Sequence, residues 1–173
     1  MVRSGIWVNV GCSDRAVDAL AEVARRTVEA DGGRRLFVVG HSRGGMLARG
    51  LAARHPELVE RVVSLGAPLN HEFAFYEIPR PLVGALKIVH STDPELRERQ
   101  CVTPDCTCPY MAATKRPIPA EVELISLYTK SDGIVDWRAC VVPGARNIEV
   151  SGSHLGMGLK PATVRIVLEE LAA

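Results

Sequence analysis

A serine stands at the centre of a glycine-rich segment, Gly40–Gly45, which reads G-H-S-R-G-G. Ser42 therefore occupies the nucleophile position of a G-x-S-x-G pattern, which is typical of a serine held on a sharp turn between a strand and a helix. The flanking sequence supplies both elements. The continuous apolar run Leu36–Val39 predicts a strand buried on both faces of a parallel sheet, and residues 44–54 predict a helix that ends before Pro56. We therefore expect Ser42 to be an activated nucleophile.

The neighbours of Ser42 have predictable roles on such a turn. A side chain at Gly40 or Gly44, two residues on either side of the serine, is expected to collide with its surroundings, so we expect glycine to be required at both positions. The N-terminus of the following helix points at the reaction centre. We expect the backbone N–H of Arg43 to bind the oxyanion that develops on an acyl substrate.

A serine hydroxyl is a weak nucleophile and requires a base within hydrogen-bond distance. After a G-x-S-x-G turn, the acid comes next in the chain and the histidine last. His154 follows the last predicted strand, Asn147–Val150, in a glycine- and serine-rich loop that would let its side chain swing over Ser42. His41 lies inside the turn and is expected to point away from the serine. Three histidines lie near other elements: His55, His71 and His90. The alternative interpretation of His154 is a solvent-exposed loop histidine.

The acid is expected after the preceding predicted strand, Glu121–Tyr128. Asp132 lies in a tight Asp-Gly turn near the carboxyl end of that strand, where ligands gather in parallel sheets. We favour Asp132 over Asp136, which is better placed to cap the segment Trp137–Val141. Asp93, after an earlier element, is a weaker third candidate.

Strands and helices alternate along the chain, which predicts an α/β fold with a mostly parallel central sheet and helices on both faces. Two further strands and three further helices are expected, together with an irregular excursion at about 91–119 that is rich in proline and cysteine. The strands are Gly5–Val10 and Arg61–Leu65; the helices are residues 13–30, Pro81–His90, and a last one that starts at Pro161 and turns Val164, Val167, Leu168 and Leu171 inward.

The composition is that of a globular protein. The chain has 173 residues, 47% of them hydrophobic and 24% charged, and its formal net charge is +1. This length suits one domain over residues 1–173. We find no basic block for nucleic acid, no targeting segment and no apolar run long enough for stable membrane insertion. We therefore expect a soluble, cytoplasmic protein.

The five cysteines do not form a recognisable metal site. Cys101, Cys106 and Cys108 are spaced C-x4-C-x-C, which lacks the paired C-x2-C spacing of structural zinc sites. Free thiols are expected, with a disulfide in this loop, or from it to Cys140, as the alternative. We predict no bound metal.

Three segments together resemble the small bacterial lipases and esterases of the α/β-hydrolase fold. They are V-G-H-S-R-G-G at 39–45, Y-T-K-S-D-G-I-V at 128–135 and G-A-R-N-I-E-V-S-G-S-H at 144–154. The similarity runs from about residue 33 to the end and is weak over 70–119. It implies that Ser42 is the nucleophile, Asp132 the acid and His154 the base of a triad that hydrolyses carboxylic esters through an acyl-enzyme, without a cofactor.

We expect the substrate to be a small-molecule acyl ester. Thioesterases, amidases and peptidases use the same triad, so these three activities are the alternatives. By the resemblance, Leu36–Val39 is the fifth strand of the fold and Gly5–Val10 the fourth, so the sequence lacks the first strands and the loop that supplies a second oxyanion donor. We therefore expect weak activity and an exposed sheet edge through which two copies could dimerise. The alternative outside the enzymes is a binding or partner subunit with weak activity.

Overall fold

The computed structural model describes residues 1–6, 12–71, 74, 76 and 107–172. Within these ranges it contains four strands, five α-helices and one 3-10 helix. In chain order they are α1 (Ser13–Ala30), β1 (Leu36–His41), α2 (Arg43–Arg54), β2 (Val59–Leu65), α3 (Pro109–Thr114), β3 (Glu123–Tyr128), the 3-10 helix Trp137–Cys140, β4 (Arg146–Glu149), α4 (His154–Met157) and α5 (Pro161–Ala172).

The four strands form one parallel sheet in the order β1-β2-β3-β4. The register aligns His41 at the end of β1 with Leu65 of β2, and Leu65 with Leu127 of β3. The carboxyl ends of the strands therefore lie along one edge of the sheet. The residues that follow β1, β3 and β4 are brought together at that edge, which is where ligands bind in such sheets.

Both faces of the sheet are covered, as the sequence predicted. Successive side chains of a strand point to opposite faces. Val62 belongs to a cluster built with α1, α2 and α3, whereas Val63 belongs to a second cluster built with α5. The prediction of a parallel α/β sheet with helices on both faces is confirmed.

One carboxylate joins the three helices of the first face. Asp14, in the first turn of α1, accepts a hydrogen bond from Arg54 at the end of α2 at 3.0 Å. The same oxygen accepts the backbone N–H of Tyr110 in α3 at 2.9 Å. Tyr110 is almost fully buried against Gly50 of α2, where an added Cβ would lie 2.6 Å from the tyrosine ring. These contacts tie α2 to α1 and α3.

The prediction that Leu36–Val39 is buried on both faces is wrong for one face. Leu36 and Val38 pack against the first cluster, but Phe37 and Val39 are 37% and 45% exposed. Within the described part of the chain, α5 covers this second face over Val63 of β2 and not over β1. The Arg61 guanidinium lies 4.7 Å from the Phe37 ring centroid and shields it in part.

The inward face of α5 also differs from the prediction. Val167 and Leu171 pack on the sheet with Ile166, but Val164 and Leu168 are exposed. Glu170 is buried instead and accepts a hydrogen bond from Arg146 of β4 at 2.8 Å. An acidic residue paired with an arginine therefore occupies part of the helix face that packs on the sheet.

Three predictions concern segments at or beyond the limits of the described residues. Gly5 is not in a strand, and residues 7–10 of the predicted strand Gly5–Val10 lie outside the described residues. The predicted helix Pro81–His90 also lies outside them. The excursion at 91–119 is described only from residue 107, and its last part contains the helix α3, so the prediction of irregular chain is wrong there. No helix in the described ranges is long and apolar enough to cross a membrane.

Candidate active site

Ser42 is held in a strained conformation between β1 and α2. It is the one non-glycine residue with positive φ among the described residues, with φ 53° and ψ −125°. Its N–H donates to the carbonyl of Leu65 at 2.7 Å, and its own carbonyl accepts the N–H of Gly45 at 2.9 Å. Hydrogen bonds on both sides therefore maintain a backbone conformation that costs about 1–3 kcal/mol at a non-glycine residue.

The glycines around Ser42 have different roles. A Cβ on Gly40 would lie 2.4 Å from the carbonyl carbon and oxygen of Gly44, so glycine is required at Gly40, as predicted. A Cβ on Gly44 would meet nothing within 4 Å, so the prediction for Gly44 is wrong. The second restricted position is Gly45, where a Cβ would lie 2.4 Å from Ser64 Oγ and 2.8 Å from Ala67 Cβ. Successive positions of a helix point in different directions, and here the Gly45 position faces the sheet whereas the Gly44 position faces away from it.

Gly40→Ala and Gly44→Ala are therefore expected to differ sharply in stability. The first places a methyl group against backbone atoms that cannot move alone, which we expect to cost about 3 kcal/mol. The second adds a methyl group in open space and removes the entropic cost of glycine in a helix, so we expect a change within about 1 kcal/mol. Urea unfolding of both variants measures the difference. Equal losses would show that the close approach of Gly40 to Gly44 is not present in solution.

Three side chains from separate loops meet at the carboxyl edge of the sheet. The Nε2 atom of His154 lies 2.9 Å from Ser42 Oγ, and the Nδ1 atom lies 2.7 Å from Asp132 Oδ2. Both the histidine and the aspartate are buried. A carboxylate only accepts hydrogen bonds, so Nδ1 carries a proton and Nε2 is left to accept the serine hydroxyl. This arrangement can remove a proton from Ser42.

The turn after β3 orients the Asp132 carboxylate. Oδ1 accepts the backbone N–H of Ile134 at 2.9 Å and that of Val135 at 2.8 Å. Oδ2 is thereby directed at His154. The Asp-Gly turn predicted from the sequence thus presents one oxygen to the backbone and the other to the imidazole.

Asp136 has different partners. It caps the 3-10 helix by accepting the backbone N–H of Arg138 at 3.1 Å, so the prediction of a capping role is confirmed. It also accepts the Tyr76 hydroxyl at 3.2 Å. The backbone hydrogen bond from Arg138 lowers the pKa of Asp136 below its ordinary value. Asp93, the third candidate acid, lies outside the described residues.

His154 is not on a swinging loop, which corrects the prediction made from the glycine and serine content. It is the first residue of α4, and Ser153 caps that helix by accepting the N–H of Gly156 at 3.2 Å. The hydroxyl of Thr129 donates to the carbonyl of Gly152 at 2.9 Å. Thr129 belongs to the loop that carries Asp132, so the acid loop holds the histidine loop directly.

The side chain of His41 points towards His154. Its Nε2 atom lies 2.8 Å from the carbonyl oxygen of His154, and the two ring centroids are 4.9 Å apart. Burial lowers the pKa of His41 below its ordinary value, and the neighbouring His154 lowers it further, against the raising effects of the hydrogen bond and Asp132. The position of His41 in the sequence could have indicated this contact, because a residue at the carboxyl end of β1 shares the sheet edge with the residues that follow β4.

The fold has counterparts in known proteins. The family model of the alpha/beta hydrolase fold matches residues 5–85. A thermophilic esterase superposes with a TM-score of 0.58 at 19% identity, covering 95% of this chain and 74% of the esterase. The mature Bacillus licheniformis lipase superposes with a TM-score of 0.63 at 16% identity, covering 94% of this chain and 75% of the lipase. The chain has the α/β-hydrolase fold.

One curated relative is more similar in sequence over a shorter stretch. A homoserine O-acetyltransferase of Deinococcus radiodurans is 44% identical over 52 residues, which is 30% of this chain. The chain covers 16% of the length of that enzyme.

In the α/β-hydrolase fold of this chain, Arg43 is the first residue of α2. Its backbone N–H lies in the first helical turn, where such groups point out of the helix end. Its guanidinium donates to Ser13 Oγ at 3.0 Å, at the start of α1. The side chain of Arg43 is thus directed to α1, and its backbone lies beside Ser42.

No group of three or more His, Cys, Asp or Glu residues in the described ranges could hold a metal ion. Cys140 is a free thiol, and burial raises its pKa to about 12. Cys140 is therefore protonated and unreactive near neutral pH. Cys101 and Cys106 lie outside the described residues.

Proposed function

We propose that this protein is a serine hydrolase that cleaves carboxylic esters through an acyl-enzyme, with Ser42 as nucleophile, His154 as base and Asp132 as acid. The observation that carries the proposal is the continuous hydrogen-bond chain from Ser42 Oγ through His154 to Asp132, with links of 2.9 and 2.7 Å. A nucleophile hydrogen-bonded to a base that is itself oriented by a third group is the signature of nucleophilic catalysis. The fold shared with an esterase and a lipase supports the same proposal.

In the acylation step, Ser42 Oγ attacks the carbonyl carbon of the ester while His154 Nε2 takes the hydroxyl proton. The imidazolium is stabilised by Asp132, whose carboxylate is oriented by the backbone N–H groups of the following turn. The backbone N–H of Arg43 donates to the oxyanion. His154 then gives the proton to the leaving alcohol oxygen as the carbon–oxygen bond breaks. Water attacks the acyl-enzyme with His154 again as base, which releases the carboxylic acid and regenerates Ser42.

A fluorophosphonate probe tests the proposal, because it reacts covalently only with an activated serine. We expect labelling of the wild-type protein at Ser42, located by peptide mass spectrometry, and hydrolysis of p-nitrophenyl esters of short to medium acyl chain. Matched thioester, amide and peptide substrates of the same acyl group separate the esterase from the other classes that use this triad. A folded protein that neither labels nor hydrolyses any of them contradicts the proposal and favours a binding role.

Transfer of the acyl group to an alcohol is a second candidate. The 52-residue similarity to homoserine O-acetyltransferase favours it. Both reactions pass through the same acyl-enzyme, and they differ in whether water or another hydroxyl accepts the acyl group. Incubating the protein with an acyl ester or thioester and an amino alcohol, then quantifying free acid and acylated alcohol, distinguishes them. Free acid as the dominant product at millimolar alcohol supports the hydrolase, and acylated alcohol supports the transferase.

A further inference from the structure

We propose that His41 is a positioning residue that clamps the backbone of His154 and so maintains the distance between His154 and Ser42. The expected effect on kcat rests on the proposed function, whereas the contact between His41 and the His154 backbone rests on the geometry alone. His41 is the last residue of β1 and directly precedes Ser42, and its Nε2 atom lies 2.8 Å from the His154 carbonyl.

The hydrogen bond fixes which nitrogen of His41 carries a proton. A backbone carbonyl only accepts, so Nε2 must be the donor. Burial keeps the pKa of His41 below its ordinary value, so the ring is neutral near neutral pH with its single proton on Nε2. His41 is thus the opposite tautomer to His154, whose proton is on Nδ1 towards Asp132. A neutral ring beside His154 also avoids placing a second positive charge next to the imidazolium formed in catalysis.

The His41 side chain links the backbone at Ser42 directly to the backbone at His154. His41 and Ser42 are consecutive, so the contact with the His154 carbonyl links the backbones of the serine and the histidine through one side chain. On the other side of His154, Thr129 of the acid loop donates to the carbonyl of Gly152 at 2.9 Å. The segment that carries Ser42 therefore binds the carbonyl of His154, and the loop that carries Asp132 binds the carbonyl of Gly152.

Ring packing adds a second restraint. The His41 and His154 rings are 4.9 Å apart and tilted by 43°. The His154 side chain is buried, and the His41 ring packs beside it. A displacement of about 1 Å in a reacting group can cost about a hundredfold in rate. The clamp is therefore expected to affect kcat more than substrate binding.

Two substitutions of His41 separate the hydrogen bond from the packing. Gln places an amide N–H near the position of Nε2, whereas Phe keeps a ring of similar size and has no donor. We expect His41→Phe to lower kcat by about 10- to 100-fold with KM within about twofold, and His41→Gln to remain within about threefold of wild type. His55→Phe is the matched control, because His55 lies at the far end of α2 and contacts Glu57. It should retain wild-type kcat.

An NMR measurement tests the clamp without catalysis. Long-range 1H–15N spectra should show His41 as the Nε2–H tautomer, and the deshielded Nδ1 proton of His154 should be sharp in the wild type and in His41→Gln. In His41→Phe this resonance should shift or broaden. If the wild type neither labels nor hydrolyses, the proposed function fails, and these spectra still decide the clamp.

Two outcomes would overturn the inference. One is a His41→Phe variant with wild-type kcat and an unchanged His154 resonance. The other is a His41→Gln variant as impaired as His41→Phe with an equal loss of Tm, which would assign His41 a packing role only.

Discussion

Replacing Ser42 with alanine is expected to abolish fluorophosphonate labelling and to lower kcat for ester hydrolysis by about 10⁶-fold. The change removes the hydroxyl that attacks the acyl carbon, and no other side chain of the triad can form the acyl-enzyme. His154→Ala should cost a similar factor, because the members of a triad act as a unit. The measurements are steady-state hydrolysis of a p-nitrophenyl ester and gel-based detection of the labelled protein.

The Ser42→Ala variant should keep its fold. Alanine has the same difficulty as serine with a φ of 53°, and the backbone hydrogen bonds to Leu65 and Gly45 do not involve the hydroxyl. Ser131→Ala is a suitable control, since this serine is exposed and should retain full labelling. Hydrolysis by purified Ser42→Ala at the wild-type rate, or labelling located at another residue, would refute the assignment of Ser42.

Asp132→Asn is the second variant for which a large effect is expected, a loss of about 10⁴-fold in kcat. The N–H groups of Ile134 and Val135 both donate to Oδ1, so they would select the amide oxygen of an asparagine at that position. The amide NH2 would then face His154 and donate to Nδ1. The imidazole proton would move to Nε2, where it blocks acceptance of the Ser42 proton. The loss thus follows from a reversed tautomer with little change in geometry.

Asp136→Asn is the matched control for the acid. Asp136 caps the 3-10 helix through the N–H of Arg138, a contact that an asparagine oxygen can reproduce. We expect kcat to stay within about threefold of wild type, consistent with the small net free energy of one partly exposed hydrogen bond. Determination of kcat and KM for both variants over pH 6–9 makes the comparison. A larger loss in Asp136→Asn than in Asp132→Asn would exchange the roles of the two acids.

The local sequence predicted much of the fold. The sequence predicted a helix over residues 13–30, and α1 runs from Ser13 to Ala30. Its buried residues Val17, Ala21 and Ala24 form the apolar stripe that a helix covering a sheet must present. The alternation of strands and helices predicted the parallel sheet. The candidate residues Ser42, Asp132 and His154 also followed from sequence, because each lies just after a predicted strand and carboxyl ends of parallel strands share one edge.

Predictions that depended on how one element packs against another were less successful. The requirement for glycine was assigned to Gly44, whereas the structure places it at Gly45, since the choice depends on which side of α2 faces Ser64. Phe37 and Val39 were predicted to be buried, but their burial depends on what lies over β1. Leu168 was predicted to face inward, but it is exposed, and Glu170 is buried in an ion pair with Arg146.

The sequence by itself determined the order of the four strands with α1, α2 and α5, the turn that carries Ser42 and the short set of candidate side chains, because these depend on residues close together in the chain. Only the tertiary structure decided which acid meets His154 and that His41 contacts the same residue. Both contacts join positions more than 20 residues apart, at 22 residues for Asp132–His154 and 113 for His41–His154. Such distances are set by how the loops pack at the sheet edge, and no local propensity encodes that packing.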